Sequence, residues 1–420
     1  MSALRPSLPH VPGRWPLQRR PGWGQRVLGL LLAAWLGIHP SPALALSDAQ
    51  QLVVEAWRLV NQSYVDPVRF EAVHWRQLRQ KALERPIESS TDAYDAIEAM
   101  VAPLGDPYTR LLRPADYAAL RSSTEGSVSG VGLQLGLRPS DQAIVVIAPL
   151  DGSPAAEAGI PSGAELRSVN GQSTADLGLE QTAAALRGPS GTRVLITLVS
   201  SGRGSERELE LERRRVDLRP VRSRRLRSGD HTLGYLRITQ FAEPVPSGVR
   251  DALAELTGEG IEGLILDLRN NSGGLVSAGL AVADQLLDGL PVVETEGREG
   301  VSAPQRSSPG SLYSGPMVTL INGGTASASE ILAGALQDNG RSQLVGGRSF
   351  GKGLIQTLIS LGDSSGLAVT VARYVTPSGR AIQGQGLVPD VELGQPEPLN
   401  PGGDGDAWLE QAQRLLLEAG

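Results

Sequence analysis

The hydrophobic period of this chain changes twice, and each change restricts what the next stretch can fold into. Between Ser47 and about Ser122 apolar residues recur at helical spacing. Ser47-Asp-Ala-Gln50 reads as a capping box with Leu52, Val53, Ala56, Leu59 and Val60 on one face behind it. Residues 75–84 and 91–104 predict two further helices, the second stopped around Pro103 and Gly105. Near Glu125 the period becomes alternating. Strands are expected at 130–135, 143–148, 193–199 and 208–213, with short helices at 153–159 and 179–187 and a turn at Val169-Asn-Gly171. After Leu233 strands (233–241, 263–268, 317–321) alternate with helices (247–256, 276–287, 327–339), the pattern of an α/β core. The chain therefore reads as a multidomain α+β protein. It divides into a helical region at 46–122, a β-rich unit at 123–215, an α/β core at 216–395, and a linker and amphipathic helix at 396–420.

Residues 1–45 read as an address. Arg5, Arg14, Arg19, Arg20 and Arg26 precede a twelve-residue apolar run, Val27 to Ile38, and an Ala43-Leu-Ala45 site. That is the form of a secretory signal peptide, and twelve apolar residues fall short of the roughly 20 a spanning helix needs. Cleavage would leave 34 basic against 45 acidic residues, an acidic exported chain poorly suited to general nucleic-acid binding. Ten arginines lie between Arg203 and Arg227, but interleaved Glu206, Glu208, Glu210, Glu212 and Asp217 make them a mixed-charge strand and connection.

Composition narrows the chemistry. The chain has no cysteine, which excludes disulfides, thiolate metal sites and a cysteine nucleophile. It has four histidines, and His10 and His39 fall in the segment expected to be removed. Of 39 basic residues only Lys81 and Lys352 are lysine. A lysine kept where arginine is otherwise the rule suggests a role that requires losing a proton, which a guanidinium does not do.

Three segments could carry catalysis. Asn322-Gly-Gly-Thr-Ala-Ser-Ala-Ser-Glu330 leaves a strand and opens a helix, placing Ser327 among free amides at a helix N-terminus. The same segment reads as an ordinary cap, Ser327 with Glu330, and both readings are open at this point. In Ser349-Phe-Gly-Lys-Gly-Leu-Ile-Gln356, a desolvated Lys352 could act as a base toward a serine hydroxyl, with Gln356 orienting the amine. Asp267-Leu-Arg-Asn-Asn-Ser-Gly-Gly274 could present the amide of Gly273 or Gly274 to a carbonyl, or could be a plain turn. Ser349-x-x-Lys352 matches an S-x-x-K pattern, but glycines flank the lysine and no K-T-G follows. His74 and His231 lie in contexts that suit structural histidines better than a triad.

Taken in order, these three motifs resemble the carboxyl-terminal processing (tail-specific) serine peptidases. Asp106-Pro-Tyr-Thr109, Ser129-Gly-Val-Gly-Leu133 and Val375-Thr-Pro-Ser-Gly379 also match, and the likeness runs from about Ser47 to Val391. Trp57-Arg-Leu-Val-Asn-Gln-Ser-Tyr64 resembles the cyanobacterial and plastid branch, which matures the photosystem II reaction-centre precursor. The resemblance implies a Ser-Lys endopeptidase with a core of crotonase-like style. Ser327 would be the nucleophile, Lys352 the base and Gln356 its orienter, with the amides of Ala328 and of Gly273 or Gly274 as oxyanion hole. It makes 123–215 a PDZ domain whose Gly130, Val131, Gly132 and Leu133 hold a peptide's terminal carboxylate. Partners would be proteins or peptides with free C-termini, including membrane-protein substrates met peripherally, with no nucleic acid, metal or cofactor. The compartment would be the thylakoid lumen or periplasm. Two departures stand out: Gly323 replaces an arginine common in the family, and Gly163-Ala-Glu165 replaces a Gly-Asp. The competing class is an exported, non-catalytic PDZ adaptor that keeps the peptidase fold.

Overall fold

The computed structural model describes residues 46–420 apart from 138–140, 142, 151–152, 162–163, 200–205, 399–400 and 419–420. The expected signal peptide lies outside the described residues. Among those described, no helix is long and apolar enough to cross a membrane.

The first helix, Asp48–Ser63, starts at the capping box: Ser47 Oγ accepts from the Gln50 N–H at 3.2 Å, and Gln50 Oε1 from the Ser47 N–H at 3.0 Å. Its buried face packs against Trp75, Ile97 and Met100 of the helices Trp75–Leu83 and Ser90–Val101. The third predicted helix stops earlier than expected, because Ala102–Leu104 tightens into a 3-10 turn around Pro103. Two further helices, Pro67–Ala72 and Pro114–Thr124, each start at a proline inside or at the end of the stretch read as helical, though neither was given its own bounds. This helical region does not close on itself. Its core includes Leu361, Leu367 and Val369, and the strand Arg110–Leu112 pairs antiparallel with Gly366–Val375.

The β-rich unit is a sheet of Leu133–Leu137, Ile144–Pro149, Glu165–Val169, Arg193–Val199 and Glu206–Glu212 in that order. Ile144, Val146, Leu166, Val169, Ile196 and Leu198 fill its core. The expected strand at 130–135 is broken in two. Gly132 takes φ 75°, where any side chain would be strained, and a Cβ there would lie 2.2 Å from Ser153 Cβ. The part before the break, Ser127–Gly130, pairs instead with Arg214–Asp217 as a two-stranded ribbon. The arginine-rich stretch forms strands, as its alternating charge suggested. Arg213 is buried and donates to the carbonyls of Ala185, Leu186 and Arg193.

In the core, Val221–Ser228 pairs antiparallel with His231–Ile238. From there Gly263–Asp267, Met317–Ile321, Gln343–Gly346 and Val391–Glu392 follow in parallel. Gly263–Asp267 and Met317–Ile321 are buried at every position because both faces of the sheet are covered, so most of their residues are apolar, with Thr319 and the terminal Asp267 as buried polar exceptions. Helices Val245–Gly258, Val276–Leu286 and Ala328–Asp338 cover one face. The C-terminal helix Ala407–Glu418 covers the other, setting Trp408, Leu409, Ala412 and Leu416 against Tyr235, Ile265, Val318 and Val345. A second sheet joins Arg110–Leu112, Gly366–Val375 and Pro291–Gly297, with Leu354–Ser360 also on Gly366–Val375. Parallel strands leave their connecting loops at their carboxyl ends, the usual place for a site in such a sheet. Two such loops, 268–275 and 322–327, emerge side by side.

Candidate active site

Ser327 stands where the second of these loops turns into the helix Ala328–Asp338. It is nearly buried and has φ 58°, ψ −120°. A serine in this region stores about 1–3 kcal/mol of backbone strain, which surrounding contacts must sustain. The principal contact is Glu330, whose carboxylate has no exposure at all. Its Oε2 accepts the N–H of Ser327 at 2.9 Å and the N–H of Lys352 at 2.9 Å. Its Oε1 accepts the Gly351 N–H at 2.7 Å and the Ser349 hydroxyl at 2.5 Å. The Ser327–Glu330 spacing is thus a helix cap and also the joint between two loops. Tyr374 ties the same two residues from the carbonyl side. Its hydroxyl lies 3.0 Å from Ser327 O and close to Lys352 O, one proton shared between two acceptors. Burial, and then the Glu330 charge, push its phenol well above the ordinary value, so it remains a donor.

Lys352 sits between two glycines for steric reasons. A Cβ at Gly351 would lie 2.8 Å from Gly386 N, and one at Gly353 would lie 2.6 Å from Gln383 N. The amine is pulled below its ordinary value first by burial and then by Arg110, against the opposing charges of Asp106 and Glu330. Its Nζ lies 4.9 Å from the centroid of the Tyr108 ring. Among the described residues no hydrogen bond joins Lys352 Nζ to Ser327 or to Gln356. Gln356 Nε2 instead donates to Thr370 Oγ1 at 3.4 Å, across a bulged register of Leu354–Ser360 on Gly366–Val375. The expected orienting contact from Gln356 is therefore not formed here. Ser349 is no S-x-x-K nucleophile: it donates to Glu330 and accepts from Leu387 N at 2.6 Å. His231 pairs with Glu262, and His74 heads the helix Trp75–Leu83, so no Ser-His pairing forms at Ser327 among the described residues. No group of three or more His, Asp and Glu side chains among the described residues could hold a metal ion.

Gly273 presses directly on the serine. At φ 101°, its Cβ would lie 2.8 Å from Ser327 Cβ and 3.1 Å from Ala328 N, so only glycine fits. Its own N–H already donates to Asn271 Oδ1 at 3.0 Å, and an oxyanion there would have to share or displace that bond. The Gly274 N–H makes no hydrogen bond among the described residues, and a Cβ there would strike Phe241 O at 2.0 Å. Ser329 faces the same loop, donating to Asn271 O at 2.9 Å.

The loop carrying Gly273 is braced by an ion network that spacing alone did not reveal. Arg269, wholly buried, reaches Asp267 at 2.6 Å and Asp406 at 2.6 Å. Burial would raise the Asp267 carboxyl, but Arg237 and Arg269 outweigh it and hold it low. Asn322 cross-links the loops: its Oδ1 accepts from Asn270 N at 2.8 Å, its Nδ2 donates to Asn270 Oδ1 at 2.7 Å, and it also bonds Glu397. Glu397 and Asp406 come from the segment expected to be a mere linker. At Gly323, where the family's arginine was missed, a Cβ would meet nothing within 4 Å, so space for a side chain exists.

In the β-rich unit, the carbonyl of Val131 accepts from Ala155 N at 2.9 Å, and that of Gly132 from Leu150 N at 2.8 Å. The carbonyls are thereby tied back, fixing the backbone of the 130–133 loop. Ala164 and Glu165 are described at the second departure, whereas Gly163 lies outside the described residues.

Residues 232–393 match peptidase family S41, and residues 145–200 match the PDZ domain. A carboxyl-terminal-processing protease from Synechocystis sp. is 43% identical over 372 residues, covering 88% of this chain and 86% of that protein. The chloroplastic carboxyl-terminal-processing peptidase 3 of Arabidopsis thaliana is 41% identical, covering 88% of this chain and 77% of the relative. The solved photosystem II D1 C-terminal processing protease superposes with a TM-score of 0.64 at 38% identity, covering 88% of this chain and 98% of that one. With the Ser327 and Lys352 loops joined at Glu330 and a PDZ unit ahead of the core, the chain belongs to peptidase family S41, as a protease among the carboxyl-terminal-processing proteases of cyanobacteria and chloroplasts.

Proposed function

We propose that this protease removes C-terminal extensions from exported proteins by a Ser-Lys mechanism. The observation that carries the reading is the buried Glu330 carboxylate, which holds the backbone of a strained Ser327 and of a half-buried Lys352 on one group. With its amine made easier to deprotonate, Lys352 takes the Ser327 hydroxyl proton as Oγ bonds the scissile carbonyl carbon. The carbonyl electrons move onto oxygen, which is received by the amides of Ala328 and of Gly273 or Gly274 at the positive end of the helix. Collapse of this intermediate expels the amine of the C-terminal fragment, which takes the proton back from Lys352. Water then enters by the same route to release the acyl group. Gln356 orients the Lys352 amine once it leaves its present position, from the strand beside Thr370.

The PDZ unit captures the substrate's C-terminus by strand addition, with the 130–133 loop amides receiving the terminal carboxylate. The likeness to a D1 processing protease supports the D1 precursor as substrate and the thylakoid lumen as compartment, entered by way of the 1–45 leader. Two paired peptides test the reading, one with a free C-terminal acid and one with an amide. Each lost charge-assisted bond is worth roughly 1.5–3 kcal/mol, so the acid should be cleaved at least tenfold faster. A serine-reactive phosphonate should label Ser327 and not Ser329. Equal cleavage of acid and amide would refute C-terminal capture, and a Ser327→Ala variant that still cleaves would refute the nucleophile.

A further inference from the structure

The amine of Lys352 has a partner from outside its own loop and outside the nucleophile helix. Tyr108 belongs to the helical region, in Asp106-Pro-Tyr-Thr-Arg110, and its ring lies under Lys352 Nζ at 4.9 Å, inside the range of a cation–π contact. The ring is held there by construction. Asp106 Oδ1 accepts the Tyr108 N–H at 2.9 Å, and Asp106 Oδ2 accepts the Thr109 hydroxyl at 2.7 Å. Thr109 Oγ1 accepts the N–H of Thr370 at 3.0 Å, and Arg110 registers with Ala368. The segment is therefore stitched to Gly366–Val375, the strand that also carries Leu354–Ser360 directly after Lys352.

We propose that Tyr108 is a positioning residue for Lys352: its ring is the seat the amine occupies while no peptide is bound, which makes the Asp106–Arg110 segment part of the active site. The inference rests on the reading of Lys352 as the general base. A ring face favours the ammonium form, whereas catalysis needs the neutral amine, so the seat parks the base in its inactive charge state. The charged groups acting on the amine come from three directions. Arg110 disfavours the charge, Asp106 beside it favours the charge, and Glu330 favours it from the nucleophile helix. Of Lys352, Tyr374 bonds the carbonyl and not the amine. An incoming peptide draws the neutral amine off the ring toward Ser327.

The composition allows a direct test. Lys81 and Lys352 are the only lysines, so protein carrying carbon-13 lysine shows one reference signal from exposed Lys81 and one from the base. The Lys352 Hε resonance should lie upfield of Lys81 through the ring current, in the native protein and in Tyr108→Phe, and should lose that shift in Tyr108→Leu. Tyr108 is half-exposed, and its backbone bond to Asp106 survives both substitutions. In kcat/KM against pH, Tyr108→Leu should move the acid limb down by roughly half a unit, with Tyr108→Phe unchanged. Arg110→Gln should move it up. An unshifted Lys352 resonance in the native protein, or one that Tyr108→Leu leaves unchanged together with an unmoved limb, overturns the proposal. A Lys352→Arg variant that still cleaves would instead defeat the general-base reading, while the resonance still reports whether the seat exists.

Discussion

Replacing Glu330 by glutamine exchanges one carboxylate oxygen for an amino group and changes little else in shape. The native carboxylate receives four donors: Ser327 N, Lys352 N, Gly351 N and the Ser349 hydroxyl, at 2.9, 2.9, 2.7 and 2.5 Å. Whichever way the glutamine amide turns, its amino group meets two of them. The Ser349 hydroxyl can rotate to accept, but a backbone N–H cannot. At least one charge-assisted bond becomes a donor facing a donor, and the others weaken to neutral bonds. At roughly 1.5–3 kcal/mol for each charge-assisted bond, the loss comes to about 3–5 kcal/mol. That is a large share of the 5–15 kcal/mol that holds a typical domain together. Ser327 needs this support to remain at φ 58°, so the hydroxyl should also drift. A displacement of about 1 Å costs on the order of 100-fold in rate. The measurements are urea unfolding followed by tryptophan fluorescence, and kcat on a C-terminal peptide under conditions where the variant is folded. If Glu330→Gln unfolds at the native midpoint and cleaves at the native rate, Glu330 is not the joint described above.

Lys352→Arg should fold normally and lose cleavage, because a guanidinium stays protonated; stopped peptide assays measure this. On the proposed Ser-Lys mechanism the neutral amine is the base, so kcat/KM should rise with pH through an acid limb lying below the ordinary lysine value of 10.5, and a limb at or above it would contradict the burial of Lys352. Asp406→Asn leaves the buried Arg269 charge half-compensated and should cost about 3–5 kcal/mol in denaturant unfolding, although Asp406 is remote in sequence from the motifs. Gly273→Ala should nearly abolish phosphonate labelling, since its Cβ would lie 2.8 Å from that of Ser327; labelling at the native rate would show that the loop yields freely.

The sequence alone carried whatever depends on neighbouring residues. The first helix and its capping box, the central strands, the serine at a strand-to-helix turn and the lysine between glycines are local patterns, and they stand where they were expected. Even the final helix was legible as amphipathic, though not which face of the sheet would receive it. Tertiary structure decided what depends on register and on loops meeting. The break at Gly132 follows from the nearness of Ser153, and the pairing of Arg110 with Ala368 brings Tyr108 beneath Lys352. Glu330 shows the division within one residue. Its capping of Ser327 could be read from a spacing of three, but Ser349, Gly351 and Lys352 reach it only after a turn of chain that no local period encodes. Hydrogen bonds to a buried carboxylate are satisfied by whichever donors the fold delivers, so their identity belongs to the packing of the sheets and not to the order of the residues.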